Sequence, residues 1–85
     1  MSYNWSDDAW EDYLYWQSKD KKMVERIHRI LKEIRRNPAE GIGKPEKLRN
    51  NLSGYWSRRL NKEHRIVYKV IDSIVEIVMC RHHYE

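Results

Sequence analysis

Phosphate chemistry is the first thing this sequence suggests. Between Gly54 and Tyr84, in GYWSRRLNKEHRIVYKVIDSIVEIVMCRHHY, two separated arginines, Arg59 and Arg65, are followed by a histidine pair, His82 and His83, and by Tyr84. Arginine's planar fork matches the oxygens of a phosphate, and an imidazole titrates close enough to neutrality to serve as a general acid. Zinc is a poorer reading, because Cys80 and His82 supply two ligands at most and the only cysteine is already used.

Three runs must position these groups: Trp56 to Leu60, His64 to Val70 and Ile74 to Arg81. They are rich in β-branched and aromatic residues and are separated by Asn61-Lys62-Glu63 and Asp72-Ser73, so they read as consecutive antiparallel strands. A two-residue second turn places Ile66, Tyr68, Val70, Val75, Ile77 and Met79 on one face and sets Lys69 opposite Glu76. A three-residue first loop adds Leu60 to that apolar face and brings Arg59 and Arg65 together on the other, with Tyr55, Ser57, Val67, Lys69 and Cys80. Two arginines whose side-chain roots lie roughly 5 Å apart repel unless an anion or carboxylate stands between them. Phosphate is the obvious anion, with Glu46 or Glu76 as a structural substitute. Strict alternation puts His82 and Tyr84 on the arginine face and His83 on the other.

Upstream, Tyr3 to Trp5 reads as an extended lead-in and Ser6 as the N-cap of a helix over about residues 7 to 18. Asp7 and Asp8 lie at its positive dipole end, and Trp5 and Trp10 have the spacing of a hydrophobic staple. Its inward side is expected to carry Trp10, Tyr13, Leu14 and Gln17, leaving Asp8, Glu11, Asp12 and Tyr15 outward. Asp20 caps a second helix whose apolar set Met23, Val24, Ile27, Ile30, Leu31 and Ile34 is strongly amphipathic, and Asn37-Pro38 ends it. Residues 37 to 53 hold both prolines and two of the three glycines and read as a long loop; Gly41 and Gly43 do not form a P-loop, and Glu46 and Arg49 fall near the loop's end, in a short strand or turn.

Composition narrows the class. Eighty-five residues, 40% hydrophobic and 35% charged, fit one small globular domain over residues 1–85, which buries only about 60% of its unfolded surface. No apolar run nears a membrane span, the N-terminus lacks the pattern of a signal peptide, and the lone cysteine suits a reducing compartment, so a cytosolic protein is expected. The net charge of +4 is uneven: residues 1 to 18 contain acids and no lysine or arginine, whereas Lys21, Lys22, Arg26, Arg29, Lys32 and Arg36 lie on the exposed side of the second helix. Such asymmetry suggests a basic face for a polyanion, or a helix solubilised by charge. The aromatics are tyrosine and tryptophan only, which suits stacking.

Together Trp5-Ser6, EDYLYWQ at 11 to 17, EGIGKPEKL, NLSGYWSRRL, EHRIVY and the closing CRHHY resemble the YoeB toxins of the RelE-like family over essentially the whole chain. The resemblance implies an α+β, microbial-RNase-like fold with two N-terminal helices packed on one face of a small antiparallel sheet. It implies a metal-independent and cofactor-independent messenger RNA endonuclease acting in the ribosomal A site, commonly dimeric and neutralised by a YefM-type antitoxin. By motif, Glu46 is the general base for the ribose 2′-hydroxyl, His83 the general acid for the leaving 5′-oxygen, and Arg65 with Arg59 the stabiliser of the pentacoordinate phosphate. Tyr84 orients or stacks on the substrate, and Arg49 stands where lysine is frequent. His82 occupies a position where tyrosine is frequent, and Glu85 extends a chain that often stops at the tyrosine. The motif thus favours His83 where strand alternation favours His82. A reading of another class is a non-cleaving RNA-binding or ribosome-binding inhibitor, which the basic helix and the aromatics alone would serve.

Overall fold

A computed structural model describes residues 2–82. Strand β1 (Ser2–Trp5) leads into helix α1 (Asp7–Lys19), where the Ser6 hydroxyl accepts from the Ala9 amide, and Trp5 meets Trp10 edge to face with ring centroids 5.8 Å apart. Both features follow from the N-cap and staple pattern. Helix α2 (Lys21–Arg36) begins at Asp20, whose carboxylate accepts from the Met23 amide, and stops at Asn37 ahead of Pro38. Its apolar side buries Met23, Ile27, Ile30, Leu31 and Ile34, as the periodicity predicts.

The sheet holds five strands in the order β1-β5-β4-β3-β2, where β2 is Glu46–Lys47, β3 Trp56–Arg59, β4 Arg65–Ile71 and β5 Ile74–Met79. Strands β2 to β5 are antiparallel neighbours, and β1 runs parallel to β5, so the sheet is mixed. The segment expected as a lead-in is therefore an edge strand, with Tyr3 opposite Val75 and Trp5 opposite Ile77. Asp72 and Ser73 both have positive φ, 49° and 63°, and close the β4–β5 hairpin in two residues, which fixes Lys69 opposite Glu76 at 3.7 Å. Both helices pack on one face of the sheet, against Leu60, Ile66, Tyr68, Val75 and Ile77.

Two expectations about facing fail. On α1 the buried residues are Ala9 and Trp16, whereas Trp10 and Leu14 are 44% and 38% exposed; Asp12 and Tyr15, expected outward, are half-buried. The composition of α1 misleads because it is aromatic all round, so a small residue, Ala9, marks the closest approach. On β5 the register slips by one residue: Tyr68 faces Ile77, but Val67 faces Met79. Val78 is the extra residue of this bulge, and its carbonyl accepts from the Ser6 hydroxyl. Beyond it the parity reverses, so Met79 shares a face with Val67, and Cys80, expected beside the arginines, is fully buried in the helix-side core.

Candidate active site on the helix-free face

Strand pairing assembles the site in rows. On the face away from the helices Glu46 stands opposite Ser57, which stands opposite Val67, which stands opposite Met79; two residues along β3, Arg59 stands opposite Arg65. Ser57 and Val67 are buried, so this face has a closed floor, with Arg59 exposed and Arg65 half-buried at one end. Glu46 and Arg49 border one cleft of about 590 Å³ that continues along the 3-10 turn Asn50–Leu52. Of the short strand or turn expected near the end of that loop, the strand is what forms: β2 adds Glu46 to the arginine face. Glu76 is paired with Lys69, which also lies over the Tyr55 ring at 4.7 Å, so it does not answer the two arginines.

The arginine pair is held from behind. The Arg59 amide donates to the Gly43 carbonyl at 2.6 Å, and its carbonyl accepts from Arg26 Nη2 of α2 at 3.2 Å. Gly43, at φ +84°, lies so close that a Cβ would stand 2.9 Å from that same Arg59 carbonyl oxygen. Gly43 of GIG therefore serves chain approach to β3. Arg65 Nη1 donates to the carbonyls of Asn61, Lys62 and His64, bracing the β3–β4 turn, and the Asn61 side chain accepts from the amides of Glu63 and His64.

Arg58, between these rows and on the helix side, is a further residue of the site that the phosphate pattern does not single out. It is fully buried; its Nε donates to the Tyr68 hydroxyl, its Nη2 to the carbonyls of Asn37 and Glu40, its Nη1 to that of Ile42, and Nη1 lies 3.6 Å from the Glu33 carboxylate. Tyr68 in turn donates to the Pro38 carbonyl at 2.6 Å. This fork gathers the carbonyls of the α2–β2 connection, the stretch that delivers Glu46. Alternation along WSRRL, which puts Arg58 on the apolar face, was the available signal.

The segment that follows β5 is clamped at Cys80 and His82. The Cys80 amide donates to Asp12 Oδ2 at 3.0 Å, and its carbonyl accepts from Trp16 Nε1 at 2.8 Å. The His82 amide donates to His64 Nδ1 at 2.7 Å, and its carbonyl accepts from the Arg65 amide at 3.0 Å. Burial raises the Asp12 carboxyl above its usual range, against the lowering effects of the Cys80 amide and the Arg81 charge. Burial, reinforced by Asp12, pushes the Cys80 thiol up to about 12. His83 and Tyr84 lie outside the described residues. The alternation that favoured His82 as the acid loses its premise at the Val78 bulge. Among the described residues no His, Cys, Asp and Glu side chains cluster to hold a metal, and no helix is long and apolar enough to cross a membrane.

Comparison with known proteins matches residues 5–84 to the model for the YoeB-like toxin of bacterial type II toxin-antitoxin systems. An Escherichia coli toxin YoeB is 55% identical over 84 residues, covering 99% of this chain and 100% of its own length. A toxin YoeB from Synechocystis is 51% identical over 85 residues, 100% of this chain and 99% of its own. Among solved structures, a YoeB/ParE toxin from Agrobacterium tumefaciens superposes with a TM-score of 0.96 at 44% identity, over 99% of this chain and 100% of its own. The YoeB of a Staphylococcus aureus heterotetrameric YoeB-YefM complex superposes at 0.92 with 55% identity, over 99% and 98%. The YafQ fold of Escherichia coli also matches, at 0.80 and 15% identity, a likeness of fold alone. On sequence, fold and full-length coverage together, the chain belongs to the family of YoeB-like toxins of bacterial type II toxin-antitoxin systems.

Proposed function

We propose that this toxin is a ribosome-dependent endoribonuclease that cuts messenger RNA in the A site by attack of the ribose 2′-hydroxyl, without a metal. The observation that carries this reading is the placement of Glu46 on the same sheet face as the Arg59–Arg65 pair, one row away. Two residues along a strand is roughly 7 Å, so the two rows are near enough for long side chains from both to converge on one ribose 2′-hydroxyl and the phosphate beside it. Glu46 takes the 2′-hydroxyl proton; the 2′-oxygen attacks phosphorus; Arg65 and Arg59 stabilise the charge of the pentacoordinate species. The bond to the 5′-oxygen then breaks, His83 donates its proton to that oxygen, and a 2′,3′-cyclic phosphate is left behind. Tyr84 orients or stacks on a base, and Arg49, on the cleft it shares with Glu46, binds the backbone. The nucleophile belongs to the RNA, so one base, one acid and positive charge suffice, and DNA is not cut.

YoeB of Staphylococcus aureus has been solved as a dimer and in complex with YefM. By that likeness we assign this chain, acting in the cytoplasm as a single domain, a YefM-type antitoxin and a homodimeric state. The test is a translating extract in which cleavage is mapped by primer extension for Glu46→Ala, Arg65→Ala, His82→Ala and His83→Ala. Loss at Glu46, Arg65 and His83 with cleavage retained in His82→Ala is expected. Inhibition of translation that survives replacement of all three would replace cutting by occupancy, and cutting of a substrate lacking 2′-hydroxyls would overturn the mechanism.

A further inference from the structure

We propose that His64 is a positioning residue for this reaction: its neutral imidazole, accepting the His82 amide at Nδ1, fixes the backbone at residue 82, the residue immediately before the proposed general acid. The inference rests on the endoribonuclease reading above. A backbone N–H can only donate, so at 2.7 Å the Nδ1 atom must carry its lone pair and the ring proton must lie on Nε2, which is 3.6 Å from the Glu63 carboxylate. The ring is oriented by α1, because Trp16 meets it edge to face with centroids 4.8 Å apart. Residue 82 needs such a hold: its φ is +67°, in the left-handed region that side chains other than glycine disfavour. Its amide and carbonyl are taken up by His64 and by the Arg65 amide, two consecutive residues at the start of β4. Two residues earlier, Asp12 and Trp16 hold both backbone groups of Cys80. The dipeptide His64-Arg65 thus ties the phosphate-binding arginine and the turn before the acid into one unit, so the two move together.

The test uses the full chain on ribosomes programmed with a defined messenger. His64→Asn keeps an acceptor near the Nδ1 position, and His64→Leu removes it. His64→Leu is expected to slow single-turnover cleavage roughly 10-fold to 100-fold while ribosome binding stays within about twofold, and His64→Asn to recover most of the rate. Nitrogen-15 NMR of the wild-type protein is expected to find the His64 proton on Nε2, a measurement that stands even if His64→Leu does not fold. Wild-type rates in His64→Leu, no recovery in His64→Asn, or a proton on Nδ1 would each overturn the role of His64 and leave the endoribonuclease reading intact. Wild-type protein that inhibits translation without cutting would remove that reading and this role with it.

Discussion

Arg59 and Arg65 stand directly opposite one another on β3 and β4, on the sheet face turned away from both helices. Like charges in that relation destabilise a sheet by roughly 0.2–1 kcal/mol, so the pairing opposes folding. If the pair exists for a phosphate, Arg59→Gln should raise the urea midpoint slightly while lowering the cleavage rate roughly 100-fold, the order expected for losing one donor to a charge that develops in the transition state. Arg59 is the informative member, because its fixed contacts are through its backbone, whereas the Arg65 side chain also braces the β3–β4 turn. A variant both less stable and fully active would refute the trade of stability for phosphate binding.

Arg58→Ala should be among the most damaging single changes in the chain. It leaves the carbonyls of Asn37, Glu40 and Ile42 without their buried donor and the Glu33 carboxylate with the Ile42 amide but no ion-pair partner, a loss of about 3–5 kcal/mol. Lysine should not rescue it, because a single ammonium cannot reproduce a fork that reaches five acceptors in different directions. Urea denaturation of Arg58→Ala and Arg58→Lys checks the magnitude, and Arg58→Lys at wild-type stability would show that charge alone suffices.

Where side chains obey a simple period, the fold was legible in the sequence. The caps at Ser6 and Asp20, the buried stripe of α2, the two-residue turn at Asp72-Ser73 and the Arg59–Arg65 register all follow from spacing and turn chemistry. Legibility ended where one residue breaks a period. The Val78 bulge reverses parity at the end of β5, so Cys80 enters the core and the alternation argument for His82 fails. It also ended where polar residues are buried through long-range contacts: Arg58 reaches back to Asn37, and Asp12 reaches forward to Cys80, pairings that no local pattern encodes. The parallel pairing of β1 with β5 is equally non-local, because it joins the two ends of the chain.

Asp12 should make stability fall as pH rises from acid toward neutral. Its native carboxyl binds a proton more tightly than the unfolded one, whose value is 3.8, so between that value and the raised native one the folded state holds more protons. The slope of unfolding free energy with pH is therefore negative across that window, and the penalty is absent below it. Asp12→Asn keeps an oxygen for the Cys80 amide without burying a charge. Urea midpoints from about pH 4 to pH 7 should show wild type losing ground to Asp12→Asn as pH rises. A difference between the two proteins that does not vary with pH would contradict the burial of the carboxylate as its cause.

Cys80 should be inert in the folded protein. Its side chain is fully buried with the thiol against the Ala9 carbonyl at 3.6 Å, and burial pushes its pKa to about 12. At pH 7 the thiolate is then on the order of one part in 10⁵, and only the thiolate attacks an alkylating reagent. Iodoacetamide should therefore label the protein only through opening of the segment that Asp12, Trp16 and His64 hold down, and quickly once urea unfolds it. Because labelling then follows the population of the open form, Trp16→Phe, which removes the donor to the Cys80 carbonyl but keeps an aromatic ring, should speed it several-fold, roughly the effect of losing one hydrogen bond of about 1 kcal/mol. Labelling of native wild type at the rate of a free thiol would mean that the end of β5 is not docked against α1, and the clamp on residues 80 to 82 would fall with it.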